Sequence, residues 1–195
     1  MVGLTDDTWI LITLFFSVSI KSIYPEIPPP NPEIKLSTIE PSDMALQLSD
    51  VPADFTEYMR LENTRSDTNQ SKLNMGWIKG YTVVYQRINS DKQQVETIVQ
   101  TINVYPIENV SQVQALTKKF ALESANENVQ VDELSDPKIG DLSQAFRLRN
   151  LNTQTTIYLL GFTKKDVDEL IFARVTSADY NSIKNITKTA AEKIK

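Results

Sequence analysis

The sequence predicts an α+β domain: a mostly antiparallel sheet of about six strands with helices packed on it, preceded by an N-terminal hydrophobic anchor helix. Three observations point there. Residues 76–105 hold two long runs of aromatic and β-branched side chains at period two, separated by the turn-forming Asn89-Ser90-Asp91-Lys92. Four further strand-like runs follow one another with short turns between them, so no strand–helix–strand alternation marks a parallel sheet. Two segments, 110–125 and 178–195, carry one apolar stripe each at helical spacing.

The chain opens on Trp9 to Ile20, twelve residues without Glu, Lys or Gln, which run into a spacer with prolines at 25, 28, 29, 30 and 32. A spanning helix needs about 20 apolar residues, so this block crosses a bilayer only if it extends from Thr8 to Tyr24 with Lys21 reaching the headgroups. The expected organisation is an anchor or uncleaved signal over 1–24, a stiff proline-rich spacer over 25–41, and one soluble domain over 42–195. Lys21 taken alone would place the domain in the cytoplasm. The reading adopted is an extracytoplasmic domain, where sequons at Asn69, Asn109 and Asn185 permit glycosylation.

Inside the domain, Glu40-Pro41-Ser42-Asp43 carries helix-start chemistry and Met44-Ala45-Leu46 follows as one short turn. Phe55 to Arg60 reads as the first strand, and residues 63–72 as a polar loop. Trp77, Lys79, Tyr81, Val83 and Tyr85 alternate with Ile78, Thr82, Val84 and Ile88 on the opposite face of the second strand. Its partner runs from Gln94 to Tyr105. Pro106 ends that hairpin and Asn109 is placed to cap a helix with Val110, Val113, Leu116, Phe120 and Ala121 on one stripe. Three or four strands follow, drawn from the runs 128–134, 142–149, 155–162 and 167–176. The closing helix aligns Tyr180, Ile183, Ile186, Ala190 and Ile194.

The 195 residues include no His and no Cys, and carry a net charge of -5. The missing types remove the usual acid–base side chain, the commonest metal ligand and every thiolate chemistry. They argue against an enzyme, leaving only carboxylate, lysine, serine or tyrosine chemistry. The acidic balance argues against nucleic acid, whose phosphates demand clustered Lys and Arg. No cofactor is expected, since no phosphate-cradling glycine loop occurs.

Two constellations stand out. Trp77, Tyr81 and Tyr85 at period two form either a ligand platform or sheet packing. Asp136 and Asp141, in Asp136-Pro137-Lys138-Ile139-Gly140-Asp141, offer two carboxylates to a hard cation, although ordinary turn chemistry explains the same residues.

The segments Leu48-Ser49-Asp50-Val51-Pro52, Gly76-Trp77-Ile78-Lys79-Gly80-Tyr81 and Pro137 to Phe146, with the Lys-ending last helix, resemble a loosely defined group of prokaryotic, largely archaeal, exported domains. The element order is also similar to the PsbP/Mog1-type α/β/α sandwich. This resemblance spans roughly 42–195 and implies the fold and a bias toward accessory or binding roles; it transfers no site residue. The expected function is therefore a membrane-tethered, non-enzymatic domain that binds a partner or serves a membrane protein complex as an accessory subunit. The alternatives are a carrier of a small apolar ligand or lipid, and a hydrolase using Asp136 and Asp141.

Overall fold

The computed structural model describes residues 39–89, 94–153, 155–175 and 180–195. The expected anchor, nearly all of the spacer, most of the 89–92 connection and the start of the last helix lie outside these. Seven strands form one sheet: β1 Thr56–Asn63, β2 Lys79–Asn89, β3 Gln94–Val104, β4 Val129–Glu133, β5 Leu142–Asn150, β6 Thr155–Lys164 and β7 Val167–Arg174. The spatial order is β1-β2-β3-β7-β6-β5-β4, and every pairing is antiparallel. Two meanders therefore meet where β3 pairs with β7, with Ile102 opposite Glu169 and Asn103 opposite Asp168. The count is seven because all four late runs form strands.

Four α-helices, α1 Pro41–Met44, α2 Gln70–Asn74, α3 Val110–Glu123 and α4 Tyr180–Lys193, and two 3-10 turns, Leu48–Asp50 and Ile107–Asn109, complete the described elements. One sheet face carries Tyr81, Val83, Tyr85, Ile98, Ile102, Leu160, Phe162 and Ile171, packed with Ile183, Ile186, Ala190 and Ile194 of α4 and with Met44, Ala45 and Leu46. Burying each isoleucine of that stripe contributes about 1.5–3 kcal/mol. The C-terminal end of α4 is tied down by Lys164 Nζ, which donates to the carbonyl of Ala191 at 2.8 Å, and by Lys193, paired with Asp50 at 2.9 Å. Lys164 and Lys193 are therefore structural cations rather than solvated surface.

The other face carries Phe146, Leu148, Ile157, Leu159 and Phe172 beneath Ala121 of α3. Close approach of α3 to β6 depends on Gly161: a Cβ there would meet the Gln114 side chain at 3.2 Å and Thr117 at 3.4 Å. Asn109 sits at the N-cap of α3, yet its side chain makes no capping bond. Its amide donates instead to the carbonyl of Met75 at 3.0 Å.

Three sequence expectations change here. Residues 63–72 are not all loop, because Asn69 accepts from Lys72 N at 2.9 Å and caps the five-residue α2. Trp77 does not share a face with Tyr81: the strand begins only at Lys79, and the Trp77 ring turns to the α3 side, against Met75, Tyr105, Val110 and Val113. Ile88 lies near the far end of β2 and is 67% exposed, so the face opposite Tyr85 is not covered along its whole length.

Candidate functional site

A groove of about 600 Å³ runs between α3 and the 136–144 segment that leads into β5. Gln114 and Lys118 line the helix side; Asp136, Asp141, Ser143 and Gln144 line the other. Its shape is set locally. Asp136 Oδ1 accepts from the backbone of Lys138 at 2.9 Å and from the Ser143 hydroxyl at 2.6 Å. That turn holds Lys138 at φ 55 and Gly140 at φ 66, both in the left-handed region. The Ser143 hydroxyl, the Lys138 amide and the nearby lysines hold the Asp136 carboxyl below its ordinary range. Asp141 accepts from Lys165 N at 2.8 Å, linking the loop to the β6–β7 turn. The two walls are joined by Gln144, whose amide donates to the Gln114 carbonyl at 2.7 Å.

The structure thus brings Asp136 and Asp141 to one groove, but each carboxylate already serves the protein's own backbone. Among the described residues, no group of three or more His, Cys, Asp or Glu is placed to hold a metal ion. Lys118 is committed as well, donating to both oxygens of Glu133 at 2.8 and 3.0 Å. The lining mixes charged and amide groups with the apolar atoms of Ala115 and Leu142.

The three aromatic residues do not come together in this groove. Tyr85 is fully buried, Tyr81 is 9% exposed and Trp77 is 5% exposed, and they divide between the two sides of the sheet. The Tyr85 hydroxyl donates to the Leu46 carbonyl at 2.6 Å, and burial pushes its pKa up to about 12.

Beneath α2 and α3 lies a polar cluster that sequence reasoning missed. Asn103 Oδ1 accepts from Trp77 Nε1 at 3.0 Å and from Lys72 Nζ at 3.5 Å. Gln114 Nε2 donates to Asp168 at 2.8 Å, and Asn103 also bonds Asp168. Burial pushes Asp168 up to about 6, against the pull of Lys72, Gln114 and Asn103. The same burial lowers Lys72 and raises the Tyr105 phenol, which the Asp168 charge raises further. On the opposite face, Glu169 is pushed up to about 8 by burial and is bonded by Gln100 at 2.8 Å. A signal for both carboxyls was present: Leu170, Ile171, Phe172 and Ala173 make β7 apolar on both faces, so its polar residues must be buried too.

Of the three sequons, Asn109 is buried and bonded, Asn69 caps α2, and Asn185 is exposed on α4. No described helix is long and apolar enough to cross a membrane, and the Trp9–Ile20 block lies outside the described residues.

The described architecture is an antiparallel α/β/α sandwich. It is similar to the extracellular domain of PknH from Mycobacterium tuberculosis, with a TM-score of 0.61 over 78% of this chain and 93% of that one, at 10% identity. That likeness is one of fold. No family model matches the chain and no curated protein matches it, so neither the expected PsbP/Mog1-type resemblance nor the archaeal one gains support.

Proposed function

We propose that this chain is an extracytoplasmic recognition domain, held at a membrane by its N-terminal apolar segment, that binds a partner or serves as a non-enzymatic accessory subunit. The observation that carries this reading is the fold shared with an extracellular domain across nearly all of that domain's length. The order of an apolar block, a proline-rich spacer and then a folded unit supports it, since that is how a chain holds a domain off a bilayer. The absence of His and Cys from the sequence supports a binding role over catalysis. The groove beside α3 is the proposed contact site, because its polar groups are held in place by their own hydrogen bonds before any partner arrives.

The test has two arms. A C-terminal alkaline phosphatase fusion to the full chain, active only outside the cytoplasm, should be active and should sediment with membranes. Inactive phosphatase alongside an active cytoplasmic reporter at the same junction overturns the location. Cross-linking from a Lys138→Cys variant in native membranes should capture a discrete partner, whereas an Asn185→Cys probe on α4 should not. Equal labelling from both positions overturns the groove as the contact site.

A further inference from the structure

We propose that residues 64–78 form a proton-sensitive strap, closed over the sheet by half-buried Lys72 with buried Asn103 and Asp168, and loosened as that cluster loses its proton. The strap crosses the α3 side of the sheet as a turn, α2 and the Trp77 segment. Its own small apolar cluster of Met75, Trp77, Tyr105, Val110 and Val113 is separate from the two main cores. Satellite clusters under long connections open at lower free energy than the core they sit on. The polar ties are few: Trp77 Nε1 and Lys72 Nζ both reach one oxygen of Asn103, Asn109 reaches the Met75 carbonyl, and at the strap's end Ile78 N donates to the Val104 carbonyl at 3.0 Å.

The groups facing Asp168 set the direction. Lys72 approaches from α2 and Tyr105 from the end of β3, while Asn103 and Gln114 bring neutral amides from β3 and α3. Glu169 is adjacent on β7 and feels the Asp168 charge from the opposite face. Asp168 titrates near 6 when covered, against an ordinary value of 3.8. A raised pKa in the closed state means that protonation favours closure, and that this advantage is lost as pH rises through 6. Lys72, lowered by burial, changes the balance the other way as pH climbs toward its ordinary 10.5. Gln114 carries the consequence outward: its side chain holds Asp168 while its carbonyl holds Gln144 in the groove wall.

Hydrogen exchange of the full chain at pH 5 and pH 7, corrected for intrinsic exchange rates, reads the opening directly. In the wild type, opening of 64–78 relative to β3 and β7 should rise roughly tenfold between these pH values. Asp168→Asn should leave the strap closed and remove that rise. A wild-type strap whose protection changes no more than that of β3 overturns the proposal, and so does an Asp168→Asn strap that keeps the rise. If Asp168→Asn fails to fold, Lys72→Met decides: without the cation the transition should move to higher pH, and an unmoved transition overturns the proposal.

Discussion

Gln100, in the middle of β3, holds Leu46 by accepting its backbone amide at 2.7 Å, and through the same side chain donates to Glu169 at 2.8 Å. The Leu46 carbonyl is held from the other side by Tyr85 at 2.6 Å and Arg60 at 2.9 Å. The peptide that follows α1 through the core is thus fixed at both of its polar ends. Asp50, paired with Lys193 of α4 and accepting from Gln47 N at 2.7 Å, extends that attachment to the last helix. Nearer the spacer, Glu40 pairs with Lys79 of β2 at 3.0 Å, so the N-terminal segment meets the sheet at two points.

Gln100→Leu should therefore destabilise the domain well beyond its change in shape. It leaves the Leu46 amide and the Glu169 carboxyl without this partner, at about 1–3 kcal/mol for each buried group. Tyr85→Phe, which leaves Arg60 on the same carbonyl, should cost only about 1 kcal/mol. Urea unfolding of the two variants separates these cases, and equal midpoints for both would contradict the double anchoring of Leu46.

Truncation should reveal where the domain begins. Removing residues 1–37 should leave a cooperatively folding unit, because every described element begins after that point. Removing 1–55 should not, since Met44, Ala45, Leu46, Val51 and Phe55 are all core residues. A melt of the two fragments checks this, with a lost transition expected only for the shorter one.

The alternation of β2 and β3 was readable because both strands are long and aromatic or β-branched, and the four late strands because turns separate them cleanly. Both apolar helix stripes were readable too. What sequence could not show was where alternation stops. Trp77 keeps the parity of Tyr81 on paper, but the backbone reaches strand geometry only at Lys79, so the ring crosses to the other side. Likewise Asn109 has the right identity for a cap, yet folding gives its amide to Met75 instead. The buried cluster was hidden for a different reason: Lys72, Asn103, Gln114 and Asp168 come from four separate elements, and only the sheet order brings them together.

Trp77 offers a direct measure of that correction. Trp77→Phe keeps an aromatic ring beside Tyr105 and Val113 but loses the bond to Asn103, and should cost about 1 kcal/mol from that bond plus a smaller packing loss. Trp77→Ala should cost about 3–5 kcal/mol. Chemical denaturation of both variants checks the ranking. A Trp77→Ala protein as stable as the wild type would place the ring outside the core.

The pH profile of stability should fall on its alkaline side. Glu169 and Asp168 have folded pKa values raised to about 8 and about 6. Their neutral forms therefore stabilise the native state fully below the ordinary carboxylate range, and this is lost as pH rises first through 6 and then through 8. Half-buried Asp132 and exposed Asp136 and Glu57 are held low by Arg147, Ser143 and Arg60, so their smaller contributions are lost as pH falls. Melting temperature should peak at about pH 5 and decline by several degrees toward about pH 9. Glu169→Gln should flatten the decline above about pH 7 while its carbonyl still accepts from Gln100. A wild-type profile flat across that range would contradict the burial of both carboxyls.

The groove loop should be intolerant at one residue and indifferent at a near neighbour. Gly140 combines φ 66 with a backbone so close to Thr163 that an added Cβ would sit 2.2 Å from its carbonyl oxygen. Gly140→Ala must therefore push the loop away from the β6–β7 turn, strain the bond from Lys165 N to Asp141, and cost about 1–3 kcal/mol or more. Lys138 is also left-handed, at φ 55, but is exposed. Lys138→Gly relieves the left-handed penalty of about 1 kcal/mol and gives back a similar amount in unfolded-chain entropy, so stability should barely change. Melts of the two variants test the loop, and cross-linking from Lys138→Cys with and without Gly140→Ala tests the site. Because the groove wall is built on this turn, Gly140→Ala should reduce partner capture even at temperatures where the domain is fully folded. Undiminished capture from a folded Gly140→Ala protein would mean that the partner docks elsewhere.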